Sequence, residues 1–244
     1  SHLMQPVLVK NRLVFHRLRH SMARLLATVA CLSGMRAVVG GTIPLVTFDG
    51  NKETTHQWRQ MNDPVMGGKS TGTFKVEDGL GIFDGEVAIV PFLKAPGFIK
   101  ADVVDSAPLG RIFPDINGCS GIEVTLKADS NYTGYRFSFG RSHPAEAKRF
   151  AFGHKADMFP PVGEFGSIVL PLMNFTDLWD DATGEAIVTC AQNAKYCPDQ
   201  KTLSDMRTMG VWAEGVEGKV HLEMKSVSAV GCPEKSGTQE QVQV

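Results

Sequence analysis

No acidic residue precedes Asp49, and no apolar run reaches the ~20 residues that a membrane-spanning helix needs. Catalytic signatures are missing too. There is no H-E-x-x-H pair, no P-loop and no G-x-S-x-G elbow, so the sequence offers no zinc-protease, nucleotide-phosphate or α/β-hydrolase chemistry. The glycines of "GLGIFDG" (Gly79, Gly81, Gly85) imitate a phosphate loop, but they lie between strand-like runs rather than before a helix, so dinucleotide binding is not expected. Net charge is only −1, which leaves no overall field to draw in nucleic acid or an anionic membrane. No cofactor and no metal are expected.

What is present divides into a leader, a body and a tail. Ser1-His2-Leu3 ahead of Met4 reads as a remnant of an expression tag. In "NRLVFHRLRHSMARLLATVACL", a helical projection puts Arg12, His16, Arg19, His20 and Arg24 on one face. Phe15, Leu18, Met22, Leu25, Leu26 and Val29 fall on the other. A basic amphipathic segment without acids fits a mitochondrial transit peptide, which makes residues 1–41 a targeting segment. A start at Met22 instead gives a short secretory signal, and a plastid address or a helix packed on the body are further alternatives. The tail, residues 233–244, is polar and reads as disordered.

Between them, residues 42–232 change texture. Short runs separated by Gly, Pro, Asn and Asp occupy 45–48, 72–76, 81–83, 86–90, 98–104, 121–127, 135–139, 149–152, 167–170, 208–212 and 220–227. Ile122, Val124 and Leu126 alternate with Glu123, Thr125 and Lys127. Tyr135, Phe137 and Phe139 alternate with Arg136 and Ser138. Period two with turn residues between runs means strands with one buried face. The expected fold class is all-β, an antiparallel β-sandwich or jelly roll, with short helices only at 178–181 and 203–206.

Cys31 falls in the leader and four cysteines remain. "CAQNAKYC" closes a small loop, which suggests Cys190–Cys197 and, by elimination, Cys119–Cys232, although four cysteines allow three pairings. Zinc at these cysteines is the weaker reading, because the spacing is wrong and no His stands near Cys190. Asn131-Tyr132-Thr133 and Asn174-Phe175-Thr176 are glycosylation sequons, compatible with secretion or with chance. "GRSHPAEAKRF" gathers Arg141, His143, Glu146, Lys148 and Arg149. It is either a solvated hairpin loop or a rim, with Arg136, that holds an anion or an acidic partner surface. Asp49, Asp63, Asp84 and Glu123 are oxygen donors without calcium-loop spacing. Trp58, Trp179 and Trp212 are core or interface anchors first and a sugar platform second.

"NDPVMGGKS" is the least ordinary stretch. Asp63-Pro64 sets a turn, and Gly67 and Gly68 permit positive φ or close backbone approach. Trp58, Met66, Gly67 and Gly68 then form a structural clasp, with Met66 as an apolar plug. The alternative is a recognition surface made by Asn62, Asp63, Lys69 and Ser70. Trp58, this box, "FDGEV", "PGFIKADV", "GEFGSIVLPLMNFTDL" and "RTMGVWAEGVEGKVHLEMKSVSAV" together resemble the complex I intermediate-associated protein 30 family, over roughly residues 45–230. The resemblance implies a galactose-binding-like jelly roll and a role in assembling mitochondrial respiratory complex I. The chain departs from the family pattern in the insert at 190–200 and in its paired cysteines.

Three functions are carried forward. The first is a non-catalytic binding module, resembling an assembly factor or chaperone for a respiratory or other membrane-protein complex, with a protein partner. The second is a carbohydrate-binding or sugar-modifying secreted protein, by fold analogy. The third is an enzyme or binder of a small apolar ligand in a sandwich cleft.

Overall fold

Period-two alternation along the strands divides the body into two facing sheets. The computed structural model describes residues 40–63, 67–104 and 111–234; the amphipathic leader, Met66 and the tail beyond 234 lie outside the described residues. In chain order the strands are β1 (Gly41–Thr47), β2 (Trp58–Asn62), β3 (Thr71–Glu77), β4 (Leu80–Val87), β5 (Ile89–Val90), β6 (Ala95–Pro96), β7 (Phe98–Val103), β8 (Gly121–Ala128), β9 (Tyr135–Phe139), β10 (His154–Asp157), β11 (Gly166–Pro171), β12 (Met209–Glu214) and β13 (Gly218–Cys232). One sheet has the order β11-β8-β13-β4-β3, with β1 also paired to β13; the other has the order β10-β9-β12-β7-β2. β5 and β6 form a separate hairpin. The strand pairings are antiparallel, and the fold is the antiparallel β-sandwich of the jelly-roll kind expected from the sequence.

The core is the sum of the inward faces. Ile122, Val124 and Leu126 of β8 and Val220, Leu222 and Met224 of β13 meet Tyr135, Phe137 and Phe139 of β9, Val211 of β12 and Ile99 of β7. All are buried, and their removal from water is the main favourable term in folding. β13 carries one irregularity that keeps its face inward. Its buried residues run Val220, Leu222, Met224 and then Val227, which breaks the period of two. A register shift between Met224 and Ser226 absorbs the extra residue, so Val227 and Ala229 still point into the core.

Local expectations change in four places. No helix forms at 178–181. The Leu178 amide instead donates to the Thr176 hydroxyl, and Trp179 makes an isolated bridge to Ala186, so the segment stays extended. No strand forms at 149–152, where Phe150 and Phe152 alternate like one. The Ala151 amide donates to the Lys148 carbonyl in a turn, and the strand begins later, at His154. β2 is not legible in the sequence, since "WRQMN" is a mostly exposed edge strand without apolar alternation. The helix expected at 203–206 lies slightly earlier, as α1 (Gln200–Ser204), with Asp199 capping it by accepting from the Thr202 amide.

Both cysteine pairs are bridged, Cys119 to Cys232 and Cys190 to Cys197. The first spans 113 positions and fastens the end of β13 to the segment before β8; the second spans 7. Loop-closure entropy grows with the span, so the two bridges are unequal. Replacing Cys119 and Cys232 together by Ser should lower unfolding free energy by about 4–5 kcal/mol, against about 2–3 kcal/mol for the Cys190/Cys197 pair. Denaturant titration of both double variants measures this, and a larger loss for the short loop would overturn the ordering.

Candidate functional site

The outward face of the β10-β9-β12-β7-β2 sheet does not look like a solvated sheet surface. Alternation puts Phe98, Lys100 and Asp102 of β7 outward, with Gly210, Trp212 and Glu214 of β12, Arg136 and Ser138 of β9, and Lys155 and Asp157 of β10. Lys155, Glu214, Trp212 and Arg136 are nonetheless buried, because loops cross over this face.

The centre of the face is a buried ion pair between two indoles. The Lys155 Nζ atom donates to Glu214 Oε1 at 2.6 Å. It also stands 3.4 Å from the Trp179 ring centroid and 3.7 Å from that of Trp212. The indoles meet edge to face at 6.0 Å and 70°. Each indole N–H has a partner: Trp212 Nε1 donates to Ser138 Oγ at 2.7 Å, and Trp179 Nε1 to the Gly153 carbonyl at 3.0 Å. Burial pushes the Lys155 pKa down to about 8, while the Glu214 charge opposes that shift. A buried ammonium is tolerated here because a carboxylate and two ring faces replace its water.

Two segments enclose this centre. The loop at 141–152, the basic cluster singled out from the sequence, folds over the face. His143 Nδ1 pairs with the Ala151 carbonyl at 2.9 Å, and its ring stacks on Phe152 with centroids 4.2 Å apart. A second segment, 176–197, starts at a backbone bridge from Thr176 to Lys155, carries Trp179, and ends in the Cys190–Cys197 loop. Loop and strap are joined by Lys195 Nζ to Glu146 Oε1 at 2.5 Å and by the Phe150 amide to Asp181 Oδ2 at 3.1 Å.

Beside the enclosed centre the face stays open as a groove. One part, about 320 Å3, is lined by Met61, Phe98, Phe150, Phe152, Trp179 and Trp212, with Lys100 and Asp181. A second part, about 340 Å3, shares Lys100, Phe152 and Trp212 and adds Arg59, Asp102 and Arg141. Lys100 Nζ pairs with Asp102 Oδ2 at 2.7 Å and lies 4.4 Å from the Trp212 ring centroid. Phe150 is 59% exposed and Phe152 52%. A larger cleft of about 510 Å3 adjoins Lys155 on its other side, between the edge strands β10 and β11, lined also by Asp157, Phe159, Ile168, Met173 and Asn174. The sheet-face groove is the better candidate site, because five aromatic side chains converge there with Arg59, Lys100, Asp102 and Arg141, against the single Phe159 of the larger cleft.

The other singled-out residues are distributed as follows. Arg141 lines the groove, and His143 backs it through Phe152. Arg149 is exposed, 5.2 Å from the Phe150 ring. Arg136 is buried on the same face, its Nε 2.8 Å from Asp157 Oδ1. The described part of the box, residues 62–63 and 67–70, lies at the strand-end rim beside the groove, next to Met61 and Phe98. Asp63 is buried, with its amide on the Phe98 carbonyl at 3.0 Å, and a Cβ on either Gly68 or Gly97 would fall on its carboxylate. Ser70 is buried and accepts from the Ala88 amide at 3.1 Å. Gly67 has φ 75°, the left-handed region that favours glycine. Asn62 ends β2, Lys69 is exposed, and Trp58 stacks on Phe74 with centroids 4.6 Å apart. These contacts tie the ends of β2, β3, β4 and β7 together. Sequence reasoning alone does not reach Lys155, Glu214, Lys100, Asp102, Arg59, Phe150 and Phe152 as site residues. For Lys100, Asp102 and Glu214 the signal is the second face of the strands: "FIKADV" carries a large or charged residue at every outward position, and "MGVWAE" at every one but Gly210.

A different buried group lies behind the loop. His154 is fully buried and stacks on Phe139, with Nε2 3.8 Å from Asp177 Oδ2, which itself accepts from Ser142 Oγ at 2.5 Å. Burial pushes the His154 pKa below the usual imidazole value, against the pull of Asp177.

The fold and the groove define a class: a jelly-roll β-sandwich with an aromatic cleft on one sheet face. The complex I intermediate-associated protein 30 family matches residues 46–186, more than half of the chain, and the protein belongs to that family. No curated protein sequence matches the chain. Among solved structures, the family 11 carbohydrate-binding module of the cellulosomal cellulase Lic26A-Cel5E of Clostridium thermocellum is similar, with TM-score 0.50 and 13% identity over 81% of this chain and 98% of that one. A family 11 module from Clostridium thermocellum in complex with a β-1,3-1,4-mixed-linked tetrasaccharide gives TM-score 0.48 and 12% identity, over 80% and 99%.

Both buried charge sites can be tested through stability. Glu214→Gln leaves the Lys155 ammonium buried without a counter-charge and should cost about 3–5 kcal/mol, whereas Lys155→Met combined with Glu214→Leu should recover much of that loss. Chemical denaturation decides; a Glu214→Gln protein as stable as the parent would show that water reaches the pair. For His154, the depressed pKa means that the unfolded chain takes up its proton first. The contribution of neutral His154 is intact above the ordinary imidazole pKa of about 6.5 and is lost as pH falls through the lower folded value. Melting temperature should therefore drop below about pH 6.5, and the slope should flatten in His154→Leu. An unchanged slope in that variant would assign the acid sensitivity to other groups.

Proposed function

We propose that the protein is a non-catalytic binding module whose groove holds a segment of a partner polypeptide during assembly of respiratory complex I or another membrane-protein complex. The observation that carries this reading is the open aromatic groove, where Phe150 and Phe152 stay more than half exposed beside Met61 and Phe98. Exposed large apolar groups in a concave surface mark protein interaction sites. Family membership supports the assembly role. The basic, acid-free leader supports a mitochondrial setting in this reading.

The carbohydrate reading is weaker on the lining chemistry. A sugar site calls for exposed aromatic faces flanked by carboxylates and amides. The two indoles over Lys155 are buried, and the groove is lined by no Asn or Gln among the described residues. An enzyme reading finds its most perturbed lysine, Lys155, enclosed between indoles rather than open to a substrate.

Phe150→Ala with Phe152→Ala tests the groove. Both side chains are exposed, so the melting temperature should hold, while partner affinity should fall about 10- to 100-fold. The readout is co-migration of the protein with complex I assembly intermediates on native gels of mitochondria from its own organism. Unchanged co-migration of the double variant would remove the groove from the reading. Retardation of the parent, but not the variant, in gels containing mixed-linked β-glucan would replace it with the carbohydrate function.

A further inference from the structure

The outward face of the other sheet carries a separate polar cluster. His221 and Glu223 stand two apart on β13, so they share a face. Register sets His221 opposite Asp84 of β4, and Glu223 opposite Lys127 of β8. Asp129 follows the end of β8, with its amide on the His221 carbonyl at 3.4 Å. His221 Nδ1 bonds to Asp84 Oδ1. His221 Nε2 lies 3.2 Å from Glu223 Oε1 and 3.7 Å from Asp129 Oδ2, and one ligand atom from each of the three residues lies within 4.8 Å of the others.

These spacings suit a metal ion. Around a tetrahedral zinc with bonds of about 2.0–2.1 Å, neighbouring ligand atoms stand about 3.3–3.4 Å apart. Two edges of the triangle are already near that value. With Asp84 accepting from Nδ1–H, the neutral imidazole would turn its Nε2 lone pair to the two carboxylates, the carboxylate–histidine arrangement that orients metal ligands. Nε2, Glu223 Oε1 and Asp129 Oδ2 then converge on an ion that takes the place of any proton on Nε2. Lys127 Nζ, 2.7 Å from Glu223 Oε1, is a competing cation on the oxygen that would ligate the ion, and it offsets one of the three negative charges of Asp84, Asp129 and Glu223. The remainder matches a divalent cation, and one nitrogen with two oxygens matches the zinc class.

We infer that Asp129, His221 and Glu223 form a binding site for a zinc-class divalent cation, with Asp84 as the positioning residue for His221. The ligands come from β13 and from the residue after β8, so a bound ion fastens these neighbouring strands on the face away from the groove. This departs from the expectation of no metal, because residues 84, 129, 221 and 223 are brought together only by sheet register. The rival occupant is a proton on Nε2, giving an imidazolium among carboxylates.

Calorimetric titration of the metal-free full chain with zinc chloride separates the two. His16 and His20 of the leader are potential ligands as well, so the decisive quantity is the difference between parent and variants. The parent should bind one equivalent more than His221→Gln or Asp129→Asn, and Asp84→Asn should bind that equivalent about 10- to 100-fold more weakly. Zinc should raise the melting temperature of the parent and not that of Asp129→Asn. Equal stoichiometry and affinity in the parent, His221→Gln and Asp129→Asn would overturn the site and leave the proton as its occupant. If His221→Gln does not fold, Asp129→Asn decides the question alone, since its side chain is 61% exposed in the parent.

Discussion

A charged amine cannot be left alone inside a protein, and the outward face of the groove sheet is organised around that constraint. Lys155 sits on β10, an edge strand, where a lysine would ordinarily reach water. Here Thr176 bridges the open side of β10 and Trp179 lies over the ammonium. Glu214 comes from β12, two strands away, to supply the counter-charge. Once the pair is buried, Trp212 is held between Lys155 and Lys100, and its N–H is fixed by Ser138. The groove floor is therefore positioned by electrostatics beneath it, and its walls by the loop and strap that exclude water from the pair.

That division explains why the insert at 190–200 matters to the site without touching a ligand. The Cys190–Cys197 bridge closes the end of the strap that carries Trp179, and Lys195 within it reaches across to Glu146 in the loop that carries Phe150 and Phe152. Both Lys195 and Glu146 are about half exposed, so this contact contributes little energy by itself. Its effect is geometric: it relates two segments that have no sheet ladder between them. The long-range bridge, Cys119–Cys232, acts at the other end of the energy scale, on the sandwich rather than on the groove.

What is legible in the sequence is whatever a local period encodes. β9 is legible with its observed bounds because Tyr135, Phe137 and Phe139 alternate with polar residues. β8 is legible to within one residue for the same reason. β2 escapes because edge position removes the apolar signal, and residues 149–152 mislead because Phe150 and Phe152 alternate without pairing. The groove escapes for a different reason. Lys155 and Glu214 are 59 positions apart, and only the order β10-β9-β12 makes them neighbours. The basic loop is visible as a cluster of arginines, but it is its phenylalanines that line the cleft. Gly68 of the box and Gly97 before β7 lie against Asp63, which is a contact of backbone with side chain that no spacing in one chain announces.

The two outward faces of the sandwich are thus built on opposite principles. On one, aromatic rings and an enclosed ion pair exclude water and leave an apolar cleft with charges at its edge. On the other, His221, Asp84, Glu223 and Lys127 are partly exposed, and their pairing is set directly by strand register. Desolvation on the first face makes each polar contact costly to lose, so its geometry resists change. Solvent on the second face screens each pair, so single contacts there contribute little. The asymmetry sets a covered face against a solvated one. The two faces are coupled through the close-packed core of Phe137, Val211, Leu222 and Met224, and through the Asp63 and Ser70 contacts that join the ends of β2 and β7 to those of β3 and β4.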